Sequence, residues 1–244
     1  MPEGPSIVIL KEAVQAFKGK KVLSIGGNSK VDLEPFSGQK VVDFKSWGKH
    51  FLICFPRATI RIHLLMFGSY RINEEKPGAT PRLHLGFSKG ELNFYTCSVQ
   101  IITEPLDEIY DFSADVMSPT WSEKKARAKL KANPGLLACD ALLNQDIFAG
   151  VGNIIKNEVL FRIRVDPRSR IGALPARQLK AMLTEAVNYS FEFLEWKKEF
   201  KLREHWLAHT RKICPRDHVP FIKQHLGKAN RRSFYCTLCQ VLYT

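Results

Sequence analysis

The residues best suited to chemistry cluster toward the end of the 244-residue chain. Cys236-Thr237-Leu238-Cys239 is a tight pair that can place two thiolates on one Zn²⁺, and Cys214 supplies a third about twenty residues upstream. In a second Cys-x₂-Cys pair the partner of Cys214 would be position 217, which is Asp217, with His218 next to it. Either can bind zinc. Imidazole is the commoner companion of thiolates, so His218 is favoured as the fourth ligand, with Asp217 as the alternative. Four protein ligands leave no position for water, so the zinc is expected to be structural. A hairpin of about 30 residues with so small a core needs such a staple. Cys54, Cys97 and Cys139 stand singly among apolar neighbours and are expected to be buried small hydrophobes.

A second constellation is Leu142-Leu143-Asn144-Gln145 followed by Gly150-Val151-Gly152-Asn153. Gly150 and Gly152 break a preceding helix and Asn153 can cap the next one. That leaves free backbone N–H groups at a helix start, an arrangement that binds phosphate.

The elements that must position these residues follow from periodicity. Ile7, Leu10, Val14 and Phe17 form one helical stripe closed by Gly19. Strand-like pieces follow at 21–25, 40–44, 51–55, 59–64, 69–73, 82–87, 92–95 and 99–102, punctuated by turn residues such as Pro56, Pro77-Gly78 and Lys89-Gly90. Such short, closely spaced strands suggest an antiparallel sandwich. From about Ser118 the pattern turns helical, at 123–132, 136–144, 154–161 and a long stretch from 175 to about 198. The expected class is α+β and multidomain: an N-terminal helix with an antiparallel β-sandwich over 1–115, a helical domain over 116–204 and a zinc-finger hairpin over 205–244.

Charge narrows the partner. The chain carries 37 Lys+Arg against 24 Asp+Glu, a formal net charge of +13, with 45% hydrophobic residues, which excludes a disordered chain. From Lys201 onward nine Lys/Arg stand against two acids, so the last 44 residues hold +7 of that charge. Such an excess points to a polyanion. No run approaches the ~20 apolar residues of a membrane helix and no secretory pattern opens the sequence, so an intracellular, membrane-free setting is expected.

In combination these residues resemble the formamidopyrimidine-DNA glycosylase/endonuclease VIII family. The shared motifs are Pro2-Glu3-Gly4-Pro5, Gly48-Lys49, the LLNQ and GVGN pieces, and Arg231-Arg232-Ser233-Phe234-Tyr235-Cys236-Thr237-Leu238-Cys239, in family order along the whole chain. The resemblance implies a helix-led two-layer sandwich, a helix-two-turns-helix domain and a finger, with DNA held between. It also implies a bifunctional DNA glycosylase and AP lyase of base-excision repair, with no catalytic metal or organic cofactor. The expected setting is a monomer in the bacterial cytoplasm that acts on duplex DNA carrying oxidised bases or abasic sites.

In that scheme Pro2, freed by removal of Met1, is the amine nucleophile, Glu3 the general acid/base, and Lys49 a phosphate contact near the lesion. An α-amine has a pKa of roughly 7.7–8.0, so a useful fraction is unprotonated near neutrality. Asn153 and Arg231, or its neighbour Arg232, are implied DNA contacts, and Glu158 an active-site support. The segment 63–68 is similar to the family's inserting loop, with Leu65, Met66 and Phe67 as apolar wedges. Gly4 matches the endonuclease VIII branch, which favours oxidised pyrimidines. Ser6 stands where both branches commonly carry Glu. The alternatives are an oxidised-purine glycosylase, and a noncatalytic zinc-stapled protein that binds damaged DNA.

Overall fold

Ile7, Leu10 and Val14, three and four residues apart, share one buried face at the start of the chain in the computed structural model, which describes residues 2–244. Helix α1 (Gly4–Ala13) carries this face, and Val14 follows as its C-cap. Eight strands follow: β1 (Ser24–Gly26), β2 (Asp43–Trp47), β3 (His50–Cys54), β4 (Thr59–His63), β5 (Ser69–Ile72), β6 (Leu83–Gly86), β7 (Glu91–Tyr95) and β8 (Ser98–Ile102). They pair antiparallel in two four-stranded sheets of order β1-β6-β7-β5 and β2-β3-β4-β8. Alternate side chains of both sheets meet in one core, with Phe44, Phe51, Ile60 and Ile62 from one and Leu83, Leu85, Leu92 and Phe94 from the other. The stripe of α1 joins this core, and the helix packs on β2 and β3. Each such side chain withdrawn from water contributes about 1.5–3 kcal/mol.

Two of the expected strands start later than their sequence suggests. Lys21 and Lys40 meet only in an isolated bridge, and regular pairing begins at Ser24 and Asp43. The stretch between them is spent on a 3₁₀ turn at Glu34–Phe36 and on Gly38 at φ 73.

A short helix, α2 (Leu106–Ile109), closes this part, and the chain divides into two compact units between Tyr110 and Asp111. The second unit holds α3 (Glu123–Lys131), α4 (Ala138–Leu143), α5 (Asn153–Arg162), α6 (Ala176–Lys198) and a hairpin of β9 (Ile222–Leu226) and β10 (Arg231–Tyr235). Ser122 caps α3, its hydroxyl accepting from Lys125 N–H at 3.3 Å. Helix α5 is the axis of the unit. Every residue from Asn153 to Phe161 is buried, because α4, α6 and β10 pack around it. Even its polar residues, Asn153, Lys156, Asn157 and Glu158, are enclosed. A smaller cluster of Phe161, Ala208, Cys214, Phe221, Cys236 and Cys239 forms the core of the finger, which belongs to the same unit as the helices. Among the described residues no helix is long and apolar enough to cross a membrane.

Candidate functional site

In the first unit Pro2 is half-buried and directly precedes Glu3, the N-cap residue of α1. Glu3 is fully buried and sits in a reciprocal capping box with Ser6: its backbone N–H donates to Ser6 Oγ at 3.4 Å, and its carboxylate accepts from the backbone of Ser6. The serine that departs from the family pattern thus closes the cap that holds Glu3. Met1 lies outside the described residues.

Helix α1 rests on the hairpin that carries Lys49. Trp47 and His50 are the closing pair of β2 and β3, so the turn is the dipeptide Gly48-Lys49, and Gly48 at φ 52 supplies the left-handed conformation that this turn requires. Lys49 is half-buried. Beside it lies a cluster that spacing alone did not reveal. His50 Nδ1 lies 3.1 Å from Tyr110 Oη, the His50 and His63 rings are 5.4 Å apart, and Trp47 packs on Tyr110 at 4.9 Å. The pairing of His50 with His63 across β3 and β4 is the signal that could have exposed it. Burial, with Arg61, His63 and Lys49 nearby, pushes His50 down to about 4, and burial lowers His63 too, so both imidazoles are neutral near pH 7.

The loop between β4 and β5 presents Leu65, Met66 and Phe67 to solvent, at 48%, 50% and 80% exposure, so they are not core residues. Leu65 adopts φ 52, and Gly68 N–H donates to Leu64 O at 2.7 Å. A Cβ at Gly68 would lie 2.1 Å from that carbonyl oxygen, so only glycine closes this loop.

In the second unit the LLNQ and GVGN pieces are halves of one turn. Gln145 Oε1 accepts from Gly150 N–H at 3.2 Å, and its Nε2 donates to the carbonyls of Leu143 and Val151 at 2.8 and 3.1 Å. The cap of α5 is Gly152 rather than Asn153, which is the first helical residue. Asn153 is nearly buried, and its Oδ1 has no hydrogen-bond partner among the described residues.

Glu158 is fully buried. Its carboxylate points inward and accepts from the N–H groups of Leu207, Ala208 and His209 at 2.9, 2.9 and 2.7 Å. Glu158, named above as a possible active-site support, thus forms a clasp on the 207–209 loop. Lys156 and Asn157, also fully buried, reach the finger instead. Lys156 Nζ donates to Ser233 Oγ at 2.8 Å and to Arg232 O at 3.2 Å, while Asn157 Oδ1 accepts from Phe234 N–H at 3.1 Å. Alternation along β10 puts Arg231 on the side of buried Ser233 and exposed Arg232 on the other. Sequence reasoning missed Lys156 and Asn157, because a polar run on a helix ordinarily marks a solvated face.

The cysteine set closes differently from the favoured expectation. Cys214, Asp217, Cys236 and Cys239 bring their ligand atoms within 4.8 Å of one another, and His218 is not among them. His218 adopts φ 57, donates its N–H to Cys214 O at 2.9 Å and leaves its side chain exposed. It closes the turn, and the carboxylate one residue earlier points in. The set fits a tetrahedral metal. Zn–S bonds of about 2.3 Å place thiolates about 3.8 Å apart. Cys214 and Cys239 Sγ are 3.8 Å apart, and Asp217 Oδ2 is 3.3 Å from Cys214 Sγ and 3.1 Å from Cys236 Sγ. Without a cation, burial and the adjacent Asp217 carboxylate push the Cys239 thiol up to about 12.

Comparison with known proteins follows the same division. The formamidopyrimidine-DNA glycosylase N-terminal domain matches residues 1–97, and the formamidopyrimidine-DNA glycosylase H2TH domain matches residues 112–199. The endonuclease 8-like 3 protein of Bos taurus is 31% identical over 222 residues, which cover 87% of this chain and 37% of that protein. The chain spans between 36% and 38% of the length of the endonuclease 8-like 3 relatives. The DNA-(apurinic or apyrimidinic site) lyase Nei2 of Mycolicibacterium smegmatis is 31% identical over 185 residues, 71% of each chain. The fold is shared with the Lactococcus lactis formamidopyrimidine-DNA glycosylase solved non-covalently bound to DNA containing an AP site. The TM-score there is 0.83 at 19% identity, covering 98% of this chain and 99% of that one. The capped Pro2-Glu3 start and the GVGN turn lie inside the two matched domains, and the Nei2 relative is 31% identical over 71% of each chain: the chain belongs to the formamidopyrimidine-DNA glycosylase/endonuclease VIII family.

Proposed function

We propose that this chain is a DNA glycosylase with associated AP lyase activity that removes oxidised bases, pyrimidines by preference, from duplex DNA. The observation that carries the proposal is Pro2 set directly before a fully buried Glu3 at the start of α1, in a chain of this family. Once Met1 is removed, the secondary amine of Pro2 attacks C1′ of the damaged nucleotide, and the base leaves with a proton. The resulting iminium acidifies C2′–H. Loss of that proton expels the 3′ phosphate, and a second elimination expels the 5′ phosphate. Glu3 carries protons during ring opening and elimination.

Lys49, Asn153 and Arg231 contact phosphates flanking the extruded nucleotide, while Leu65, Met66 and Phe67 occupy the vacated stack. Lys49 stands beside Arg61 and the two neutral imidazoles, so near pH 7 the positive charge there belongs to the lysine and arginine side chains. A structural Zn²⁺ on Cys214, Asp217, Cys236 and Cys239 would fix the hairpin that bears Arg231. Lys156 and Ser233 hold the same strand.

Borohydride trapping on an abasic duplex tests the chemistry. A covalent adduct is expected from protein with Pro2 at its N-terminus and none from Pro2→Gly. An absent adduct from correctly processed protein would leave only a binder of damaged DNA. A panel of duplexes carrying oxidised pyrimidines or purines decides the preferred base.

A further inference from the structure

Lys156 is fully buried one helical turn after Asn153, and its ammonium ends on the hydroxyl of Ser233 and the carbonyl of Arg232. An ammonium out of water is costly to leave unmatched, so bonds of this kind tolerate little displacement. Asn157 adds a second attachment: its Nδ2 donates to Asn153 O at 2.8 Å and its Oδ1 accepts from Phe234 N–H at 3.1 Å. The start of α5 and the strand β10 are thus joined through two successive side chains. Arg231 lies two residues before Ser233 on the same side of that strand.

We infer that Lys156 is a positioning residue, which through Ser233 sets the place of Arg231 relative to Asn153, so that the two phosphate contacts of this unit are preformed before DNA arrives. The inference rests on the DNA-binding reading above and deepens it. A preformed pair needs no ordering at the moment of contact, and its loss weakens binding without removing a contacting side chain.

The test compares the zinc-loaded full chain, Lys156→Met and Ser233→Ala for binding to a duplex with a tetrahydrofuran abasic analogue across a salt series. Lys156→Met is expected to bind about tenfold more weakly. Its salt slope should fall by about 0.9 as the Arg231 contact is lost, while zinc content is retained. Ser233→Ala should weaken binding about threefold, and the double variant should be no weaker than Lys156→Met alone. A merely structural lysine would lower stability but leave the affinity and salt slope of the folded fraction at wild-type values, and that result overturns the inference. Should Lys156→Met fail to fold, Ser233→Ala decides by the same readouts, wild-type affinity overturning it. If the wild-type chain does not bind the duplex, the functional reading fails instead. The tether is then judged by amide hydrogen exchange along β10 in the free protein, which Ser233→Ala should accelerate and which, if unchanged, overturns it.

Discussion

The two units bury different kinds of residue. In the first, Glu3 is the one fully buried carboxylate or ammonium among the described residues, and apart from a few neutral polar side chains such as Asn93 the interior is an interdigitation of Phe, Leu, Ile and Val from two sheets and a helix. In the second, Asp115, Lys156, Glu158, Asp166 and His209 are all buried, and most of them join separate pieces of backbone. Apolar packing is non-directional and tolerates small changes of shape. Buried polar bonds are directional and tolerate few. The sandwich therefore behaves as a scaffold that holds one capped helix start in place, whereas the second unit is an assembly whose parts are pinned at specified distances.

The largest effect that would sharpen this contrast is metal removal. Structural zinc is worth about 10–16 kcal/mol in small fingers. Chelation, or Cys236→Ser, should collapse the amide resonances of 205–244 while leaving those of the sandwich in place, as read by two-dimensional NMR. Next comes Glu158→Ala, which strands three buried N–H groups and should cost about 4–5 kcal/mol in denaturant unfolding. A loss below about 1 kcal/mol would break the comparison, because it would show that the polar clasp is not what holds the 207–209 loop.

Acid comes third. Burial, with Lys156 nearby, lowers His209 to about 4, against about 6.5 in an unfolded chain. The fold favours the neutral ring, so the contribution is complete above about pH 6.5. It is lost as pH falls from there toward 4, because the unfolded chain takes up a proton that the folded one refuses. The loss should reach at most about 3 kcal/mol, and His209→Gln should flatten it. The smallest effect belongs to the sandwich: Ile62→Val should cost about 1 kcal/mol in thermal unfolding, with no change in DNA binding.

Legibility in the sequence follows the same contrast. The stripe of α1, the strand pieces and the long α6 were legible, because apolar periodicity encodes non-directional packing directly. The turn at Gly150 to Asn153 was legible as a turn. Its cap fell one residue off, because Gly152 rather than the asparagine takes the capping position. The candidate metal set was legible to three of its four members. Spacing could not decide between Asp217 and His218, since the choice depends on the left-handed backbone at His218, which turns that side chain out. Lys156, Asn157 and Glu158 were not legible as a junction at all. A Lys-Asn-Glu run on a helix has the composition of a solvated face, and only the packing of β10 and the 207–209 loop against α5 reverses its meaning.

The loop from Leu64 to Gly68 holds a further consequence. Its backbone is closed by the bond from Gly68 N–H to Leu64 O and by the left-handed turn at Leu65. The three exposed side chains therefore stand on a short platform whose ends are tied together. Their backbone entropy is surrendered when the chain folds and not when a partner is met, which leaves only side-chain rotation to be frozen on encounter. Lengthening the platform by a residue or two would keep the same three side chains but move that entropic cost back to the binding step.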